Sequence, residues 1–183
     1  MRRRGIIGIS GVDTRALTSA IREGGMPHGV MAHSPSGHFD MDHLLAMARG
    51  FDGLEGLDLT GRVSGTRRYQ EFEGDWSGEG FTTGTDDGPH VAVIDYGVKR
   101  TILHRLVAAG CRVTIVPPRT SFEEIVGLHP DGVVLSNGPG DPAATADYAV
   151  PVIRQLLEAR MPLFGICLGH QLLALALGAK TMK

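Results

Sequence analysis

An open, mostly parallel α/β sheet with helices on both faces, preceded by part of a smaller α/β domain, is the fold class this sequence predicts. Three observations carry that prediction. From His90 onward short apolar runs alternate with amphipathic segments, strand then helix, as far as Gly178. The runs VAVI, VTIV, VVL and LFGI are continuous in their apolar character, as strands of a sheet covered on both faces must be. The segments between them place apolar residues in facing pairs, Ile102 and Leu103 with Leu106 and Val107, then Val152 and Ile153 with Leu156 and Leu157. Such a stripe is what a sheet-covering helix needs.

Taken in order, Gly5 to Ser10 reads as a short strand, and Asp13 can cap a helix that carries Ala16, Leu17, Ala20 and Ile21 on one face before Gly24 and Gly25 end it. A second strand is expected at Gly29 to Ala32, and a helix over Met41 to Ala48 behind Asp40 or Asp42. The apolar faces here are too few to close a core alone, so residues 1–69 are expected to be a partial amino-terminal domain. Residues 70–89, QEFEGDWSGEGFTTGTDDGP, are rich in glycine, acid and hydroxyl groups and show no sustained period. They predict a linker, with Trp76 and Phe81 packing it against a neighbouring surface.

Residues 90–183 form the regular part. The expected order is strand HVAVIDY, helix VKRTILHRLVAA closed by Gly110, strand RVTIVP, then helix SFEEIVGL opened by a capping box of Ser121 and Glu124. Strand GVVLS, a helix over Tyr148 to Ala159, strand PLFGI and a final helix from Leu168 to Leu177 follow, with Pro151 as a break or first-turn residue and Gly178 as the last stop.

Composition narrows the partners. The 18 basic residues nearly balance the 20 acidic ones, so no broad positive field exists to hold nucleic acid or an anionic membrane. Two cysteines, Cys111 and Cys167, are too few for a disulfide scaffold, which points to a reducing, cytoplasmic compartment. The basic MRRR opening is followed by only a short apolar run that Asp13 and Arg15 interrupt, so export is not expected. Neither a Walker loop nor a G-x-G-x-x-G fingerprint occurs, leaving nucleotide binding by this chain without support.

The chemistry concentrates in MPLFGICLGHQLLALALG, residues 161–178. Cys167 stands where a strand becomes a helix, with Gly165 two residues before and Gly169 two after, the spacing of a nucleophile elbow. A cysteine at that apex sits at the positive end of a helix dipole, which favours thiolate over thiol, and the free N–H of Leu168 can face a developing oxyanion. The commoner fate of a free cysteine is burial as a small hydrophobe; the flanking glycines argue against it here. The loop SNGPGDP, residues 136–142, follows strand GVVLS directly. Its two glycines and two prolines fix an unusual path and let main-chain groups come close to a ligand, although a plain tight turn would read the same way when taken alone.

GICLGHQ and SNGPGDP together, on successive strand ends, make the chain resemble a class I glutamine amidotransferase. GVDTRALTSAIREGG, VAVIDYGVKRTIL and GCRVTIVP are similar to the small-chain family of glutamine-dependent carbamoyl-phosphate synthases, Thr101 departing from the asparagine usual there. The resemblance implies that Cys167 attacks the side-chain amide of L-glutamine, forming a glutamyl thioester and releasing ammonia. It also implies that Gly138, Gly140, Leu168 and Gln171 line the glutamine site or its oxyanion hole. Ammonia would pass to a large subunit, where ATP and metal are expected, in a heterodimer serving arginine and pyrimidine biosynthesis; no cofactor or metal is expected in this chain.

In that family the base is a histidine, oriented by a glutamate two residues later, far downstream of the nucleophile. His170 beside Gln171 fits better as a brace of the turn, and His28, His33, His38, His43, His90, His104 and His129 lack the family's context. The chain is therefore expected to be an internal fragment, marginal in isolation because of an open sheet edge and inactive by itself. A non-catalytic, amidotransferase-like scaffold that docks on the large subunit is the alternative.

Overall fold

The computed structural model describes residues 5–180 and divides into two compact units, Met1–Gly53 and Leu54–Lys183. In the first, Asp13 accepts hydrogen bonds from the N–H groups of Arg15 and Ala16 to open α1 (Thr14–Gly24). Asp40, not Asp42, caps α2 (Met41–Arg49) by accepting from His43 N–H. The strands expected at Gly5 to Ser10 and Gly29 to Ala32 are not formed: both stretches lack ladder pairing, and among the described residues of this unit no strand occurs. A lone extended segment has nothing to take its backbone N–H and C=O groups, so apolar composition alone does not make it a strand.

The second unit holds α3 (Thr60–Val63), β1 (Tyr69–Glu71), β2 (Glu73–Trp76), β3 (Phe81–Thr83), β4 (His90–Ile94), α4 (Arg100–Ala108), β5 (Arg112–Val116) and α5 (Phe122–Val126). It continues with β6 (Gly132–Leu135), α6 (Pro142–Glu158), β7 (Leu163–Gly165) and α7 (Leu168–Ala176). The main sheet runs β1-β5-β4-β6-β7; the last four are parallel, and β1 pairs antiparallel with β5 at the opposite edge from β7.

Residues 70–89, expected as a linker, carry strands: the end of β1 and the antiparallel pair β2–β3, which packs on α4. Their period is hidden because the strands are three or four residues long and glycine-punctuated. Gly84, for example, leaves no room for a side chain beside Val107 Cγ1. Trp76 meets Phe81 edge-on at 5.3 Å while remaining largely solvent-exposed.

Alternation along the central strands sends side chains into two cores. Val93, Val113, Ile115 and Val134 face α4 through Leu103 and Val107. Ala92, Ile94, Val133 and Leu135 face α5, α6 and α7 through Ile125, Ile153, Leu156, Leu168 and Leu172. Burying a side chain of this size is worth about 1.5–3 kcal/mol, so these two layers hold the unit together. Thr101 lies on the exposed side of α4.

The expected capping box forms at α5: Ser121 Oγ accepts from Glu124 N–H, and Glu124 Oε2 accepts from Ser121 N–H. Helix α6 begins six residues before the expected Tyr148, because Asp141 caps it and Pro142 takes its first turn. Pro151 neither breaks α6 nor starts a second piece; it lies inside the continuous helix on its exposed side. There water can take the carbonyl that a proline leaves without a partner.

From β4 the chain moves to β5 on one side and then to β6 on the other. Strand order thus reverses between β4 and β6. The carboxyl ends of strands at such a reversal form the usual ligand crevice of an open α/β sheet.

Candidate active site

Cys167 is the N-cap of α7 and has φ 52° and ψ −111°, one of three described non-glycine residues with positive φ. A side-chain-bearing residue reaches that region only when its surroundings force it, at a cost of about 1–3 kcal/mol. The surroundings are visible in the flanking glycines. A Cβ on Gly165 would lie 2.7 Å from Gly169 O and His170 N, and one on Gly169 would run into Leu135 O and lie 2.7 Å from Leu135 Cβ. The helix start is thereby pressed onto β6. Leu168 and Gly169 are buried, whereas Cys167, His170 and Gln171 are exposed. The turn holds the thiol out of the core and seals the residues behind it.

Two main-chain bonds weld this elbow to the neighbouring strand end. Ile166 N–H donates to Leu135 O and Gly169 N–H to Ser136 O, each at 3.0 Å. Gln171 N–H donates to Cys167 O as the first regular bond of α7. Leu168 N–H, at the first helical position, has no intrahelical acceptor, and it makes no other backbone bond among the described residues. It remains a donor beside the sulfur.

The SNGPG loop is fixed from the β4 side. Tyr96 N–H donates to Ser136 Oγ at 2.9 Å, Asn137 Nδ2 donates to Gly97 O at 3.1 Å, and Lys99 N–H donates to Asn137 Oδ1 at 3.1 Å. Asp95, buried at the end of β4, accepts from Gly97 N–H, Val98 N–H and Gly65 N–H. Gly138 fits where a Cβ would collide with Tyr96 O and lie 2.8 Å from Leu168 Cδ2. Burial raises the pKa of the Tyr96 phenol, which keeps this support neutral.

Of the residues predicted from sequence, the structure therefore brings Gly138 and Leu168 into contact and sets Gln171 in the first turn behind Cys167. Gly140 is placed differently: with φ 96°, it lies against Leu57 O and Leu59 N. Sequence reasoning missed that 57–60 segment. Asp141 N–H donates to Leu57 O, Gly56 N–H donates to Asp141 Oδ2, and Thr60, buried, bonds both Asp58 Oδ1 and Tyr148 Oη. Arg119 lies over the Tyr148 ring at 3.8 Å and reaches Asp58 Oδ2 at 3.4 Å. Burial first, and then the Asp58 charge, raise the Tyr148 pKa, while its bond to Thr60 works the other way. No local spacing in the sequence signals this network, whose members Asp58 and Tyr148 stand 90 positions apart.

Cys111 and Cys167 are both free, and Cys111 is half-buried. Among the described residues no helix is long and apolar enough to cross a membrane. Residues 92–183 match the family described as "Glutamine amidotransferase class-I". The chain is 58% identical to the carbamoyl phosphate synthase small chain of Caulobacter vibrioides over 100% of its length and 47% of that protein's. It is 56% identical to the small chain of Rhizobium meliloti, covering 100% of this chain and 46% of that one, and 57% identical to that of Zymomonas mobilis, covering 97% and 48%. The chain thus spans about half the length of the curated relatives it matches.

Proposed function

Because the chain belongs to the class I glutamine amidotransferase family, we propose that Cys167 is the nucleophile of a glutaminase site that supplies ammonia for carbamoyl phosphate synthesis. The sulfur attacks the side-chain carboxamide carbon of L-glutamine. The oxyanion that forms accepts hydrogen bonds from Leu168 N–H and from the backbone of the glycine loop at Gly138, while Gly140, packed against Leu57, holds the far end of that loop. Collapse breaks the C–N bond, ammonia leaves with an added proton, and a glutamyl thioester remains; water then cleaves the thioester to glutamate and restores the thiol. Gln171, exposed one turn into α7, supplies an amide that can hydrogen-bond the polar ends of the substrate.

The observation that carries this reading is the positive φ of Cys167 between two glycines that admit no side chain. A cysteine packed as a small hydrophobe would neither need that strain nor be exposed. Likeness to carbamoyl phosphate synthase small chains supports a large-subunit partner that consumes the ammonia, in the cytoplasm, toward arginine and pyrimidine precursors. The proposed amidotransferase part covers residues 90–183, and residues 70–89, which form strands against it, join it to the proposed amino-terminal part over 1–69.

The test is ammonia release from glutamine by the chain, beside a Cys167→Ala control, with and without the large subunit. Release that the substitution abolishes would establish the site and overturn the expectation, drawn from the sequence, that this chain is inactive by itself. No release in any condition would make this polypeptide an amidotransferase-like scaffold that lacks the chemistry.

A further inference from the structure

Among the described residues, one buried side-chain nitrogen is left without a hydrogen-bond partner, Nε2 of His104 on α4. His104 is 8% exposed, and Phe81 stands edge-on to its ring at 4.7 Å. Leaving a polar atom in that setting costs about 1–3 kcal/mol unless something completes it. The atom is aimed at two carboxylates. Glu71 ends β1 and Glu73 opens β2, and one ligand atom from each lies within 4.8 Å of the other and of one imidazole nitrogen. His104 Nε2 is 3.8 Å from Glu73 Oε2.

We propose that Glu71, Glu73 and His104 bind one divalent transition-metal cation of the zinc class, which pins β1 and the β2–β3 pair to α4. Two carboxylate oxygens and one imidazole nitrogen form a mixed donor set suited to zinc and its first-row neighbours and leave a fourth position for water. Tetrahedral ligands at about 2.0–2.2 Å from an ion stand about 3.4 Å apart, so the cluster must contract only modestly. Glu73, 48% exposed, has the freedom to supply that movement. Glu71 is already oriented, since its Oε1 accepts from Phe72 N–H and Glu73 N–H while Oε2 faces the cluster.

Arg100, one turn before His104 on the same helix face, now holds the two carboxylates. Its Nη2 is 3.2 Å from Glu73 Oε2 and its Nε 3.7 Å from Glu71 Oε2. A guanidinium offers donors to the carboxylates, yet here it leaves the imidazole nitrogen unpaired. Being 69% exposed, it can swing into water when a cation takes its place. The site is independent of the chemistry at Cys167.

Trp76 is the single tryptophan of the sequence and touches Phe81, which touches His104, so its fluorescence reports the site directly. The 183-residue chain, with its cysteines alkylated, is titrated with Zn²⁺ by calorimetry and with Ni²⁺ by quenching of that fluorescence. The expected result is saturable binding of one ion, weakened about tenfold or more in Glu73→Gln and His104→Gln and tightened about tenfold in Arg100→Ala. Glu73→Gln changes a half-exposed residue and keeps the test decisive should His104→Gln fail to fold. Binding that is absent in the unmodified chain, unchanged in Glu73→Gln, or no tighter in Arg100→Ala overturns the proposal.

Discussion

The two compact units obey the same local rules and reach different ends. Helices in both open on side-chain caps, Asp13 and Asp40 in the first, Ser121 and Asp141 in the second. Yet α1 and α2 bury no residue, and Leu17 and Ile21 on the apolar side of α1 are 53% and 37% exposed. In the second unit Ile153, Leu156, Leu168 and Leu172 lose essentially all contact with solvent. Caps and periodicity decide where a helix starts and which side is apolar. Whether that side is buried depends on a second layer, and among the described residues only those of the second unit form a sheet to supply one.

The sharpest way to break this contrast is to remove equivalent leucines. Leu156→Ala or Leu172→Ala should cost about 2–5 kcal/mol in chemical denaturation, whereas Leu17→Ala should stay within about 0.5 kcal/mol. Comparable losses at both sites would mean that α1 is held by packing after all. Next in size is Pro151, which survives inside α6 because Ala149, Ile153 and Leu156 fasten the helix around it. Pro151→Ala restores a backbone donor and should raise stability by roughly 1–3 kcal/mol; a loss would show that the proline sets a bend the packing needs.

Caps come third. Ser121→Ala should lower the main unfolding free energy by about 1 kcal/mol, while Asp13→Ala should reduce far-ultraviolet helical signal without moving that transition. The smallest effect is a titration. The backbone N–H of Ser121, and then its hydroxyl, hold the Glu124 carboxyl below its ordinary pKa. A depressed carboxylate pKa contributes stability above the ordinary carboxylate range that is lost as pH falls through the lowered value. The Ser121 amide resonance should follow that lowered titration in NMR, and a midpoint at the ordinary value would contradict the reciprocal half of the capping box.

How much could be read in advance follows the same division. Strands β4 to β7 and helices α4 and α5 were legible because a sheet buried on both faces imposes uninterrupted apolar runs and a capped helix imposes Ser-x-x-Glu. Strands β1 to β3 were not, since each is only three or four residues long and Gly74 in β2 and Gly84 after β3 answer to Thr82 and Val107 across space and not to a local period. The start of α6 was hidden by the functional look of SNGPGDP, in which Asp141 and Pro142 serve as cap and first turn. The strand-to-helix turn that carries Cys167 was legible from its glycines, whereas the approach of Gly138 to Leu168 and of Gly140 to Leu57 joins residues far apart in sequence and was not. The Asp58, Thr60, Arg119 and Tyr148 network has no sequence spacing by which it could have been found.

The two cysteines allow the central claim to be tested within one molecule. Cys167 is exposed at the strained elbow, and Cys111 is half-buried after α4. A glutamine-derived chloroketone is incubated with the chain, with and without excess L-glutamine, and the modified residue is mapped by peptide mass spectrometry. The account predicts labelling of Cys167 that glutamine suppresses, while Cys111 remains unmodified. Labelling of both cysteines at equal rates, or labelling of Cys167 that glutamine does not slow, would contradict it.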